Sequence, residues 1–208
     1  MSESRSEYFF AEALDLLSVA IFVIRPGREV IWMNRRGQSL VDSRDGISLV
    51  NKRLRGDTTR QSREIDEVLD RATARQPRPG GQRFFVAHSL TRISQGRPLQ
   101  LVATVLHDGD PAGHAEHRST ILFLGDYAAH RLGHPELLGA LFDLTATEAR
   151  VAAAVANGQS LYEVAGELRL GIGTVRWHVK RIMSRTDTRR QAELVRMILL
   201  SPVGILAA

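Results

Sequence analysis

Apolar positions along the chain change their period partway through. Before residue 127, short runs rich in β-branched and aromatic residues alternate with polar segments; beyond 143, apolar residues recur every three or four positions. The first pattern reads as strands and the second as helices. Residues 19–24 form a buried strand, 25–28 supply a turn around Pro26 and Gly27, and 29–33 return as a second strand. Residues 34–41 suit a short helix. Asp57 can cap a longer one to about Arg75, with Ile65, Val68, Leu69 and Ala72 along one face. Strands follow at 83–90, 99–106 and 120–124, with turns at 95–98 and 107–117. Hairpins with helices inserted between the second and third strands make an α+β domain. Ile21, Val23, Val86, Val102 and Leu122 are the strand residues expected to line an apolar pocket or to fill it.

Residues 127–140, with Gly133 and Pro135 as breakers, read as a linker. Past it, Thr145 and Glu148 form a capping box that opens a helix over 146–156, closed by Asn157 and Gly158. Ser160 and Glu163 repeat the device for a second helix, with Leu161, Val164, Ala165 and Leu168 in one stripe. After a break at 169–171, a third helix runs from about 172 to 184. Two helices joined by a short turn, the second basic, make a helix-turn-helix. At about 100° per residue, Val175, Val179 and Ile182 share the inner side of the third helix. Gly173, Trp177, Lys180, Arg181 and Ser184 lie opposite, flanked by Thr174 and Arg176. A fourth amphipathic helix spans 190–200.

Charge sharpens this picture. The net charge of +5 says little alone, but residues 169–190 hold seven cations against the single acid Asp187. Such a patch suits phosphate, and it coincides with the helix-turn-helix. There is no cysteine, which excludes disulfides, thiolate metal sites and cysteine nucleophiles. The stretch 14–24 is too short to span a bilayer and follows acids rather than a basic region, so no membrane or secretory role is expected.

The first hairpin, Asn34, a helical excursion and three sequential strands together resemble a PAS domain over residues 10–126. That resemblance implies a curved antiparallel sheet cupping a small pocket, used for sensing or dimerisation. Leu144-Thr-x-x-Glu148, Gly158-x-Ser160, Thr174-Val-Arg-x-His178 and Thr188-Arg-Arg-Gln-Ala-Glu-Leu194 closely resemble the LuxR-type domain, placed at 141–203. The resemblance implies a four-helix DNA-binding module of bacterial regulators, in which Arg176 through Lys180 faces the operator. Its fourth helix commonly joins dimer contacts, which here points to Leu194, Val195, Ile198 and Leu199. Arg176 and Lys180 are expected to read bases, while Thr174, Arg181 and Arg185 hold phosphates. Trp177 is unusual in the family: it stacks on sugar or meets a thymine methyl, or else packs under the fourth helix. Gly171 stands where the family usually has a serine N-cap.

Other chemistry finds little support. His114-x-x-His117 has metal-ligand spacing, but Gly109, Pro111 and Gly113 argue for a flexible loop without a rigid surrounding shell, so no metal is expected. No nucleophile, base and oxyanion hole assemble, and His178 reads as helix packing or a phosphate contact. The leading reading is a cytoplasmic, sequence-specific transcriptional regulator rather than an enzyme. Its partners are double-stranded DNA, a second copy of the chain and, for a regulator, RNA polymerase; a small-molecule ligand or cofactor stays open. The competing reading is a ligand-binding sensor or enzyme whose helical domain only docks proteins. A salt-dependent shift with duplex DNA separates the two.

Overall fold

The computed structural model describes residues 2–74, 83–94, 96–107, 118–127 and 131–206. The chain divides into two compact units, Met1–Ala129 and His130–Ala208. In the first, helix α1 (Ser2–Asp15) leads into β1 (Ala20–Ile24) and β2 (Val30–Met33). Then come α2 (Arg35–Ser43), β3 (Ile47–Val50), β4 (Arg53–Gly56), α3 (Thr59–Thr73), β5 (Val86–Leu90), β6 (Leu99–His107) and β7 (Arg118–Gly125). Five strands form an antiparallel sheet in the order β2-β1-β7-β6-β5, and β3 pairs with β4 separately. The last strand thus lies against the first, with the helical excursion packed on one face, a PAS-like arrangement.

That packing buries Phe22, Ile24, Leu101 and Leu122 from the sheet against Leu40 of α2 and Ile65 and Val68 of α3. Strand side chains alternate between faces, so Ala20, Phe22 and Ile24 enter this core while Ile21 and Val23 point the other way. Val102, between Leu101 and Ala103, does the same. Of the expected pocket residues only Val86 and Leu122 therefore face the helices; Ile21, Val23 and Val102 belong to the opposite face. An unbroken apolar run hides the period because both faces of the strand are apolar.

Asn34 explains how the first hairpin, α1 and α2 meet. Its buried amide oxygen accepts from the backbone N–H groups of Ile21 and Gly37, each at 2.9 Å. Its amide nitrogen donates to the carbonyls of Leu14 and Val19, at 3.0 and 2.9 Å. One side chain thus caps α2 and pins both the end of α1 and the approach to β1. The cap of α3 differs from expectation: Thr58 and Gln61 form the capping box, while Asp57 turns to accept from the Gly46 N–H at 2.8 Å.

The second unit holds α4 (Pro135–Phe142), α5 (Ala146–Ala156), α6 (Leu161–Leu168), α7 (Ile172–Arg185), α8 (Gln191–Leu200) and the short α9 (Pro202–Ile205). Its core joins Leu138, Val151, Val155, Val164, Val175, Val179 and Ile182 with Leu194 and Ile198. Helix α4 occupies part of the segment expected as linker. Pro135 begins that helix instead of breaking it, since a first-turn proline lacks only an N–H that would have no partner anyway.

Candidate nucleic-acid interface

The helix-turn-helix is α6 and α7, held from behind by α5. Both capping boxes form: Glu148 accepts from the Thr145 N–H at 2.9 Å, and Glu163 from the Ser160 N–H at 2.7 Å. Helix α6 ends on Arg169 in the left-handed conformation, and Gly171 opens α7 in extended geometry with no side chain to cap it. Val175, Val179 and Ile182 are buried against the rest of the unit. Thr174, Arg176, Trp177, Lys180, Arg181 and Arg185 are all exposed, Arg185 beside the buried stripe, where it meets Asp143 and Glu148. The side chains expected to face the operator are therefore all open to solvent. Trp177 is 51% exposed, so the alternative of burial under α8 is excluded.

Two of these cations carry intramolecular partners that spacing did not reveal. Glu148 is only 1% exposed. Its Oε1 lies 3.2 Å from Arg181 Nε, and its Oε2 lies 3.8 Å from Arg185 Nε. Arg185 also donates to the Asp143 main-chain carbonyl and, at 2.9 Å, to its Oδ2. Burial acts to raise the Glu148 carboxyl, but hydrogen bonds from Thr145 and the charges of Arg185 and Arg181 outweigh it and hold it below its ordinary value. The Arg181 guanidinium sits 4.8 Å from the Trp177 ring centroid, within cation–π range. Arg181 and Arg185, expected to hold phosphates, are thus partly engaged by the domain itself. Among the described residues, Arg176 and Lys180 have no ion-pair partner. Glu148 could be read from the sequence only as the capping-box residue of α5; that its carboxylate is buried against the arginines of α7 is decided by how the two helices pack.

His178 presents its ring edge-on to Trp177 at 5.0 Å, and its Nδ1 is buried with no hydrogen-bond partner among the described residues, which fits packing. On α8 the expected partner face divides. Leu194 and Ile198 are 1% and 0% exposed inside the domain's own core, so they offer nothing to a second chain. The residues left outward are half-buried Val195 with exposed Leu199 and Leu200; together with Gln191, Ala192 and Arg196 they line a shallow apolar concavity. His114 and His117 lie outside the described residues. Among the described residues no group of His, Asp and Glu could hold a metal, and no helix is long and apolar enough to cross a membrane.

Residues 143–198 match the family described as bacterial regulatory proteins, luxR family. No curated protein is matched by the chain. Among solved structures it is similar to the phage VqmA–DPO complex, at 15% identity over 98% of this chain and 92% of that one, with a TM-score of 0.41. The Vibrio cholerae VqmA–ligand–DNA complex is similar at 15% identity, over 89% of this chain and 83% of that one, with a TM-score of 0.35. The PAS domain of Bordetella pertussis BvgS is similar at 17% identity, over 67% of this chain and 96% of that one, with a TM-score of 0.38. Motifs, helix order and the family match coincide on the second unit: residues 143–198 are a LuxR-type helix-turn-helix domain.

Proposed function

We propose that the chain is a sequence-specific regulator of transcription that binds double-stranded DNA as a homodimer in the cytoplasm, and that it is not an enzyme. The observation that carries this reading is the division of α7. Its aliphatic stripe is buried against α5 and α6, which leaves Thr174, Arg176 and Lys180 together on an exposed face free of that packing. A helix so mounted fits the major groove, where Arg and Lys can reach guanine O6 and N7 and a threonine hydroxyl can bond a phosphate. Arg176 and Lys180 carry base recognition and Thr174 a phosphate. Arg181 and Arg185 contribute less to phosphate binding than their charge suggests, because Glu148 and Asp143 already occupy them. Val195, Leu199 and Leu200 form the dimer contact on α8, and the first domain senses a signal or pairs subunits. RNA polymerase is a further partner of such a regulator.

Selection of bound sites from a random duplex pool by the full chain tests the reading. The expected result is an enriched inverted repeat with half-sites about one helical turn apart, whose affinity falls steeply with salt. Recovery of unenriched sequence, with no salt-dependent shift, overturns it.

A further inference from the structure

The Trp177 side chain is the one feature of the α7 surface that charge complementarity leaves unexplained. It is the only Trp, Tyr or Phe in the helix, and half of it is open to solvent. Two contacts hold it in place. The Arg181 guanidinium lies over the ring at 4.8 Å, and His178 meets the indole edge-on at 5.0 Å. Arg181 in turn is anchored through Nε to Glu148, at 3.2 Å, whose other oxygen is fixed by the Thr145 N–H and hydroxyl at 2.9 Å. A buried carboxylate on α5 thus sets a guanidinium, and the guanidinium sets an indole.

The indole stands three residues after Thr174, one after Arg176 and three before Lys180, among the side chains assigned to the operator. The apolar feature that the major groove offers there is the C5-methyl of thymine. We propose that Trp177 reads a thymine methyl in each half-site, and that Arg181, itself held by Glu148, is a positioning residue for it. This rests on the reading of α7 as the helix that enters DNA. It assigns Trp177 the discrimination of thymine from its unmethylated counterpart, which none of the cationic side chains can supply.

Replacing each thymine of the selected site by uracil removes one methyl and nothing else. At one position per half-site the full chain should lose roughly threefold to fivefold in affinity, the size expected for one buried methyl. Trp177→Ala should bind the thymine site more weakly and show no response to that uracil. Arg181→Lys, which keeps a cation by the ring, should retain most of the response; Arg181→Ala and Glu148→Gln should reduce it. Circular dichroism controls for folding, and Trp177→Phe, which keeps an apolar ring, serves if the alanine variant unfolds: its response should be weakened but centred on the same position. A flat uracil scan in the parent chain, with Trp177→Ala weaker on every duplex, would assign the ring to sugar stacking and overturn the proposal. If no sequence is enriched at all, the DNA-reading function fails and this inference with it. If a site is enriched yet no uracil separates the parent from Trp177→Ala, only the thymine assignment falls.

Discussion

Gly171 shows how a single side chain balances stability against its surroundings. It caps α7 at φ −68° and ψ 145°, a conformation open to any residue, and gives the helix no side-chain acceptor. A Cβ there would meet Thr174 Oγ1 at 3.6 Å, ordinary contact. Gly171→Ser should therefore stabilise the protein by a few tenths of a kcal/mol, read as a small rise in the urea midpoint; a lower midpoint would mean that the site resists a cap. Arg176 belongs to the same helix but to a different kind of effect. Arg176→Ala should cost roughly 1–3 kcal/mol for the selected site and much less for random duplex. A specific-to-random ratio unchanged by the substitution would remove Arg176 from base reading. Both positions could be identified from spacing, because a helix turns each residue by a constant angle. The pairing of Arg181 and Arg185 with Glu148 and Asp143 could not, since it joins side chains that lie far apart in the sequence, up to 42 residues for Arg185 and Asp143.

At the scale of elements, ion pairs and caps set how the helices are braced. The Glu148 carboxyl is held below its ordinary value in the folded chain, so it adds stability above the unfolded value of about 4.3, which is lost as pH falls through the depressed folded one. Glu148→Gln can still close the capping box but cannot pair with Arg181 and Arg185. At neutral pH it should be less stable by about 1–2 kcal/mol, and the two stability curves should converge as pH falls through the depressed folded value of the Glu148 carboxyl. Urea unfolding across that range checks this, and parallel curves would sink it. Elements visible in the sequence were those with strong periodicity or a complete cap, such as α3, α5, α6 and α7. The hairpin of β3 and β4 is not legible in the sequence because its strands have four residues each and its turn is Asn51-Lys52, both at positive φ. Such a turn is usually signalled by glycine at the second place, and a lysine there conceals it. Helix α4 is hidden for another reason: its proline, a residue that interrupts a helix interior, stands in the first turn, where it is tolerated.

For the whole molecule, the proposed dimer contact falls on the part of α8 that the domain's own core leaves free. Ile198→Ala should destabilise the C-terminal unit by about 2–5 kcal/mol, as expected for truncating a fully buried aliphatic chain. Leu199→Glu should leave the fold intact, convert the dimer to a monomer in light scattering and weaken operator binding through the loss of the second half-site. A Leu199→Glu chain that stays dimeric would move the interface elsewhere. The change from strand-like to helical character along the chain was legible in the sequence, because short β-branched runs between turn residues and apolar stripes every three or four positions belong to different elements. So was the exposed face of α7, since helical geometry alone assigns side chains to sides. Tertiary structure decided the rest: which face of β1 and β6 meets the helices when both are apolar, which half of the α8 stripe its own core consumes, and which cations the domain pairs with its own acids. Those outcomes depend on what packs opposite each residue, and a partner distant in sequence leaves no mark on local periodicity.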